Sequence, residues 1–140
     1  MSGGCPFQAL ALRYAQASDR RDADALLALF AQQGVIEMPG MQLVGHEQLA
    51  TVPGILAGMF VATQHKVHNV LVEIDGEQAQ GEVYCTASHL RETDQGLEVE
   101  DWAIRYQDQY ALQEGQWRYQ RRELVIDWVE RRPAARMAAP

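Results

Sequence analysis

Asp19, His65 and His89 are the residues of this chain with the most obvious capacity for chemistry, and Tyr14 adds a phenol to them. A carboxylate, two imidazoles and a phenol can remove and deliver protons around a buried organic molecule at neutral pH. Imidazole titrates near there, and burial shifts the other groups toward it. The set therefore points to acid/base catalysis without a cofactor. His68 lies three residues after His65 in Thr-Gln-His-Lys-Val-His. On a strand that spacing puts the two rings on opposite faces, so no metal centre is expected from them. His46, after Gly45, is expected as a surface or capping residue.

These residues must be positioned by what lies between them. Phe7, Leu10, Tyr14 and Ala17 recur at helical spacing within Phe7 to Ser18, with alanines supporting the helix. Asp22 suits the N-cap of a second helix carrying Leu26, Leu27, Leu29 and Phe30, ended by Gly34. Val35 to Met38 and Met41 to Val44 flank Pro39-Gly40 as a short hairpin. A third helix is expected within Glu47 to Phe60, broken or kinked at Pro53-Gly54. From Thr63 onward the period becomes two. His65 to Ile74 and Ala79 to Arg91 flank Asp75-Gly76, a strong hairpin signal. Glu98 to Leu112 and Trp117 to Val129 flank Glu114-Gly115.

Helices first and long antiparallel strands later predict an α+β fold, a cone-shaped α+β barrel whose curved antiparallel sheet wraps around the N-terminal helices. Parity then assigns faces. Trp102, Ile104, Tyr106, Asp108, Tyr110 and Leu112 should line the interior. His89 travels with Val83, Cys85 and Ala87, and His65 with Val67, Asn69 and Leu71; His68 points the other way with Val70 and Val72. Arg121, Arg122 and Glu123 break the alternation. Surface ion pairs are the expectation for them, with a bulge aiming one arginine at Asp108 as the alternative.

The 140 residues fit one domain, taken as 1–129 with a frayed tail over 130–140. A chain of this size buries about 68% of its unfolded surface, enough for a core with a cavity. The net charge of −7 and pI near 5.0 argue against nucleic-acid and anionic-membrane partners. Cys5 and Cys85 form no CxxC pair, and the chain starts without a signal-peptide pattern or any long apolar run, so a reducing, cytoplasmic setting is expected. The broad outer sheet face leads to a homo-oligomer, a dimer or a trimer.

The string Tyr14-Ala-Gln-Ala-Ser-Asp19, Thr63-Gln-His65, Ala87-Ser-His89, Gly115-Gln-Trp117 and Asp127-Trp128 resembles the SnoaL-like family of the nuclear transport factor 2-like superfamily, over about residues 7 to 129. The resemblance implies the same cone fold. It also implies elimination chemistry of the kind run by scytalone dehydratase, bile-acid 7α-dehydratase and hexachlorocyclohexane dehydrochlorinase, which use an Asp–His pair and no cofactor. Asp19 and His65 match that pair. Tyr14 matches the tyrosine of the bile-acid enzyme, and His89 resembles the second histidine of scytalone dehydratase. On this reading Asp19 orients His65, His65 is the base, and His89 is the acid for a departing hydroxyl or a donor to a carbonyl. The plainer alternatives are a solvated Asp19 paired with Arg20 or Arg21, a buried strand histidine at 89, and a packed Tyr14. The substrate is expected to be a small hydrophobic, cyclic hydroxy-carbonyl compound lying against Trp102, Ile104, Tyr106, Asp108, Cys85 and Val67. An isomerase, a polyketide cyclase or a ligand-binding or assembly module on the same fold stays open, because fold alone does not settle function.

Overall fold

Pro6 opens the first helix, where its missing N–H costs nothing, and the helix α1 runs Pro6–Asp19. Phe7, Leu10, Ala11, Tyr14 and Ser18 form its buried face. Arg21 follows in a left-handed conformation, and Asp22 caps the short helix α2 (Ala23–Leu27) through Ala25 N–H at 3.0 Å. The chain is described here by a computed structural model covering residues 5–137.

The second helix is shorter than its leucines suggest. Phe30 opens strand β1 (Phe30–Met38) and pairs with Tyr119, whose N–H donates to the Leu29 carbonyl at 2.8 Å. A long-range ladder thus overrides helical propensity, and Gly34 lies within the strand instead of ending a helix. Strand β2 (Met41–Val44) turns back on β1 as expected. The anticipated third helix is two: α3 (Gly45–Leu49) and α4 (Val52–Met59). Pro53 sits in the first turn of α4, so it starts that helix and does not break one. His46 donates from Nε2 to the Phe30 carbonyl at 3.0 Å, which ties α3 to β1.

Four long strands complete the sheet: β3 (Ala62–Asp75), β4 (Gln78–Thr93), β5 (Gly96–Gln113) and β6 (Gln116–Pro133). The order is β2-β1-β6-β5-β4-β3, antiparallel throughout except for the parallel β1–β6 pair. This is the α+β cone, although the sheet is mixed. Strand β6 runs to Pro133, since Arg131, Arg132 and Pro133 pair with Glu100, Val99 and Glu98. Those residues of the expected frayed tail are therefore ladder, and 138–140 lie outside the described residues. No helix among the described residues is long and apolar enough to cross a membrane.

Two of the four long strands carry bulges that reverse parity, and these decide what faces inward. On β3, Val67 pairs with Cys85 but Val70 with Val83, so one extra residue intervenes. Val70 and Val72 consequently pack against the core, while Leu71 is exposed, the reverse of the alternation expected from His65. On β6 the extra residues lie between Tyr119 and Arg121 and between Ile126 and Trp128. Tyr119, Arg122, Leu124 and Ile126 thereby share the inner face, and Trp128 is turned out. Strand β5 keeps its period, and Ile104, Tyr106, Asp108 and Tyr110 are all buried as expected.

Candidate active site

Asp19 ends α1, and the start of β3 runs past it. Its Oδ1 lies 2.6 Å from His65 Nδ1 and accepts from Thr63 Oγ1 at 3.0 Å; its Oδ2 accepts the His65 backbone N–H at 2.9 Å. Burial works against the charge, but these three hydrogen bonds outweigh it and hold the carboxyl below the usual carboxylate range. The attraction of His65 acts in the same direction, against the unfavourable end of the helix dipole. A carboxylate only accepts, so His65 Nδ1 carries hydrogen toward Asp19, and Nε2 is the ring nitrogen left free of that bond. Thr63, two residues before His65 and on the same face, is a member of this group to which sequence reasoning gave no role.

His89 stands opposite Thr63 in the β3–β4 register, with its ring centre 6.1 Å from that of His65. Phe60 and Trp102 pack on it at 4.4 and 4.0 Å between ring centres. Its Nδ1 lies 3.0 Å from the backbone carbonyl of Glu100. Because a carbonyl cannot donate, Nδ1 carries the hydrogen and Nε2 is a bare acceptor. Burial lowers the ring's pKa to about 4, against the pull of that hydrogen bond, so His89 is neutral at pH 7. The expected role as acid or donor does not suit this tautomer. Trp102 is oriented by Glu100, whose Oε2 accepts its indole N–H at 2.7 Å and whose Oε1 meets Arg131 Nε at 2.7 Å. Phe60 and Glu100 were not singled out in sequence; the only signal for Glu100 was its place on the even face of β5.

The inner face is a set of cross-strand rows. His65, Ala87 and Trp102 form one, Val67, Cys85, Ile104 and Ile126 the next, and Val70, Val83, Tyr106 and Leu124 the one after. Trp102, Val67, Leu124 and Ile126 face inward yet remain half-buried, as does Leu56 of α4, so apolar side chains stay partly accessible at this end of the cone. Tyr106, Asp108 and Tyr14, by contrast, belong to the closed end. Asp108 lies six residues beyond Trp102, about 20 Å along the strand. There Arg122 donates through Nε and Nη2 to the two Asp108 oxygens at 3.0 and 3.3 Å. Its guanidinium carbon sits 3.5, 4.3 and 4.6 Å from the ring centres of Tyr106, Tyr14 and Tyr119. Burial opposes the guanidinium charge, but Asp108 more than offsets it. Surface ion pairs were expected for Arg121 to Glu123. Arg121 does pair with Glu37 and Glu123, but Arg122 is 1% exposed because the bulge turns it in. Burial raises the Tyr14 hydroxyl to about 12, so it stays a phenol within this cage.

His68 points outward to Thr86 Oγ1 at 2.8 Å. Among the described residues no three His, Cys, Asp or Glu side chains converge as metal ligands would. A surface cleft of about 450 Å³ lies over Ala62, Gln64, Ser88, Leu90 and Val99, on the outer side of the sheet from His65.

A family model described as a SnoaL-like domain matches residues 8–123. A protein of unknown function from Mycobacterium tuberculosis, Rv3472 in a single-substitution form, is 27% identical, with 87% of this chain and 70% of that one covered at a TM-score of 0.77. A protein provisionally assigned as a scytalone dehydratase from Novosphingobium aromaticivorans is 20% identical over 96% of this chain and 90% of that one, with a TM-score of 0.78. The hexachlorocyclohexane dehydrochlorinase LinA-type3 from Novosphingobium barchaimii is 14% identical over 96% and 93%, with a TM-score of 0.82. These last two likenesses establish the fold. No curated protein matches the chain.

Proposed function

The chain belongs to the SnoaL-like domain family, and from that premise we propose that it is a cofactor-free lyase of the dehydratase type, acting on a small hydrophobic cyclic hydroxy-carbonyl compound. The observation that carries this reading is the 2.6 Å contact between Asp19 and His65 Nδ1 on the inner face, with the His65 side chain 7% exposed. It leaves Nε2 as the base. His65 Nε2 takes a proton from the carbon next to the carbonyl, and the C–H electron pair moves into the enolate. The C–O bond at the β carbon then breaks as the enone forms. The departing oxygen takes back the proton held on His65, releasing water and restoring the neutral ring. Asp19 stabilises the imidazolium between these steps, which is how a carboxylate–imidazole pair assists proton transfer. The names of two structural neighbours denote eliminations of the same kind, one of water and one of hydrogen chloride.

Enone absorbance measured over a panel of cyclic 3-hydroxy ketones tests the proposal. His65→Ala and Asp19→Asn are each expected to lower the rate by ~10²-fold or more, with the double variant little worse than the worse single. Unchanged turnover in both singles would sink the base assignment. Product that is an isomer of the substrate, with no water lost, would instead indicate an isomerase using the same base.

A second reading has its own observation. Arg122 fills the closed end of the cone, where a ligand-binding or assembly module would be packed shut. Binding without turnover by any member of the panel would favour it. In either case we expect a cytoplasmic homodimer.

A further inference from the structure

We infer that this site takes a ligand bearing a hydroxyl group separate from its leaving group, and that His89 accepts the hydrogen of that hydroxyl at Nε2. The inference rests on the elimination reading for the reacting end, but it comes from different atoms.

The His89 ring cannot serve both ways. Its Nδ1–H is committed to a main-chain carbonyl of the neighbouring strand, and Phe60 and Trp102 pack on the ring. A flipped ring would set a carbon against that carbonyl and lose the bond, which is costly for a group 1% exposed. The donors that meet the Glu100 and Asp19 carboxylates are also committed. Trp102 Nε1–H goes to Glu100, and the Glu100 carboxylate is held in turn by Arg131 at 2.7 Å and Arg91 at 3.8 Å. Thr63 Oγ1 and both N–H groups of His65 that face Asp19 are given to that carboxylate.

With His65 acting as the base, the two imidazoles offer a ligand two lone pairs, on His65 Nε2 and His89 Nε2, from rings 6.1 Å apart and inclined at 75°. The ligand must bring both hydrogens. One is the C–H that His65 removes. The other must come from a donor, because a carbonyl, ether or halogen at His89 would set lone pair against lone pair and leave a buried acceptor unmet, and in the hydroxy-carbonyl class of the elimination reading that donor is an O–H. The hydroxyl at His89 is not the leaving group, since accepting its hydrogen adds electron density to the oxygen and retards its departure. A phenol or enol on a ring is the chemical class that fits, and the half-buried Val67, Trp102 and Ile126 suit its apolar body.

The full-length chain labelled with ¹⁵N-histidine, together with the probes 2-naphthol and 2-methoxynaphthalene, which share a ring system but of which only the first donates a hydrogen bond, tests this by NMR and calorimetry. The expected result is His89 in its Nδ1–H tautomer at pH 7, and 2-naphthol bound about tenfold more tightly than its methyl ether, the size of one neutral hydrogen bond. That preference should vanish in His89→Leu and persist in His65→Ala. An Nε2–H tautomer, or a naphthol affinity no greater than that of the ether, overturns the inference. If His89→Leu does not fold, the tautomer and the preference of the parent still decide it. Failure of the elimination reading is distinguishable, because it removes enone formation and leaves the hydroxyl preference intact.

Discussion

At the scale of single residues, the buried neutral ring of His89 ties stability to pH with a definite sign. Its ordinary pKa of 6.5 falls to about 4 in the fold. Below pH 6.5 the unfolded chain takes up a proton that the folded chain refuses, so stability falls as pH drops from 6.5 toward 4 and is fully present above 6.5. The whole effect is on the order of 3 kcal/mol, of which about 2 kcal/mol is expected to be lost by pH 5. Asp19 acts in a lower window. Its carboxyl is held below 3.8, so its contribution is present above that value and is lost only as pH falls further. Urea denaturation at pH 7 and pH 5 separates the two: the parent should lose about 2 kcal/mol more than His89→Gln across that interval. Equal losses in the two proteins would mean that His89 titrates normally in the folded chain.

At the scale of elements, the bulges of β3 and β6 decide which side chains face inward, and in sequence only the broken alternation of Arg121, Arg122 and Glu123 hinted at one of them. Period two along β5 correctly put Trp102 through Tyr110 on the inner face, because that strand contributes no extra residue to its pairings. The same rule misplaced Val70 and Val72, since a single inserted residue reverses every side chain beyond it; for Arg122 the surface pairing expected first gives way to the alternative, a bulge that aims it at Asp108. Asp19 and His65 were legible through the strings around them. Phe60 and Glu100 were not, because one acts by packing and the other meets His89 through its backbone carbonyl, a contact that residue type does not signal. The bulge before Arg121 has an energetic consequence that can be measured. Asp108→Asn leaves a guanidinium buried with no opposing charge and should cost about 3–5 kcal/mol, whereas Asp108→Leu with Arg122→Met removes both charges and should cost less than Asp108→Asn alone. A double variant as unstable as the sum of its singles would show that the pair contributes through packing and not through charge.

At the scale of the whole molecule, the outer sheet face determines how copies of the chain meet. Val70 and Val72 point inward and cannot contribute to it. Its exposed apolar side chains include Leu71, 75% exposed, and Trp128, 61% exposed, the latter beside Ala103 and Thr86 in register, with Tyr84, 41% exposed, one position along. Around them run Arg105 with Asp127 and Glu82, and Ser88 linking Lys66 to Asp101. An aromatic centre with a charged rim is the make-up of a protein interface, and Trp is among the residues that most often anchor one. Each copy also carries a net charge of −7, so two copies repel at long range even where their faces fit. Light scattering at micromolar concentration is therefore expected to report a dimer that strengthens when salt is raised from about 0.01 M to about 0.15 M, as the screening length shortens from about 30 Å to about 8 Å. Trp128→Glu should give a folded monomer at both salt levels. A parent chain that stays monomeric in both would rule the interface out, and dissociation on adding salt would place the attraction in the charged rim and not in Trp128.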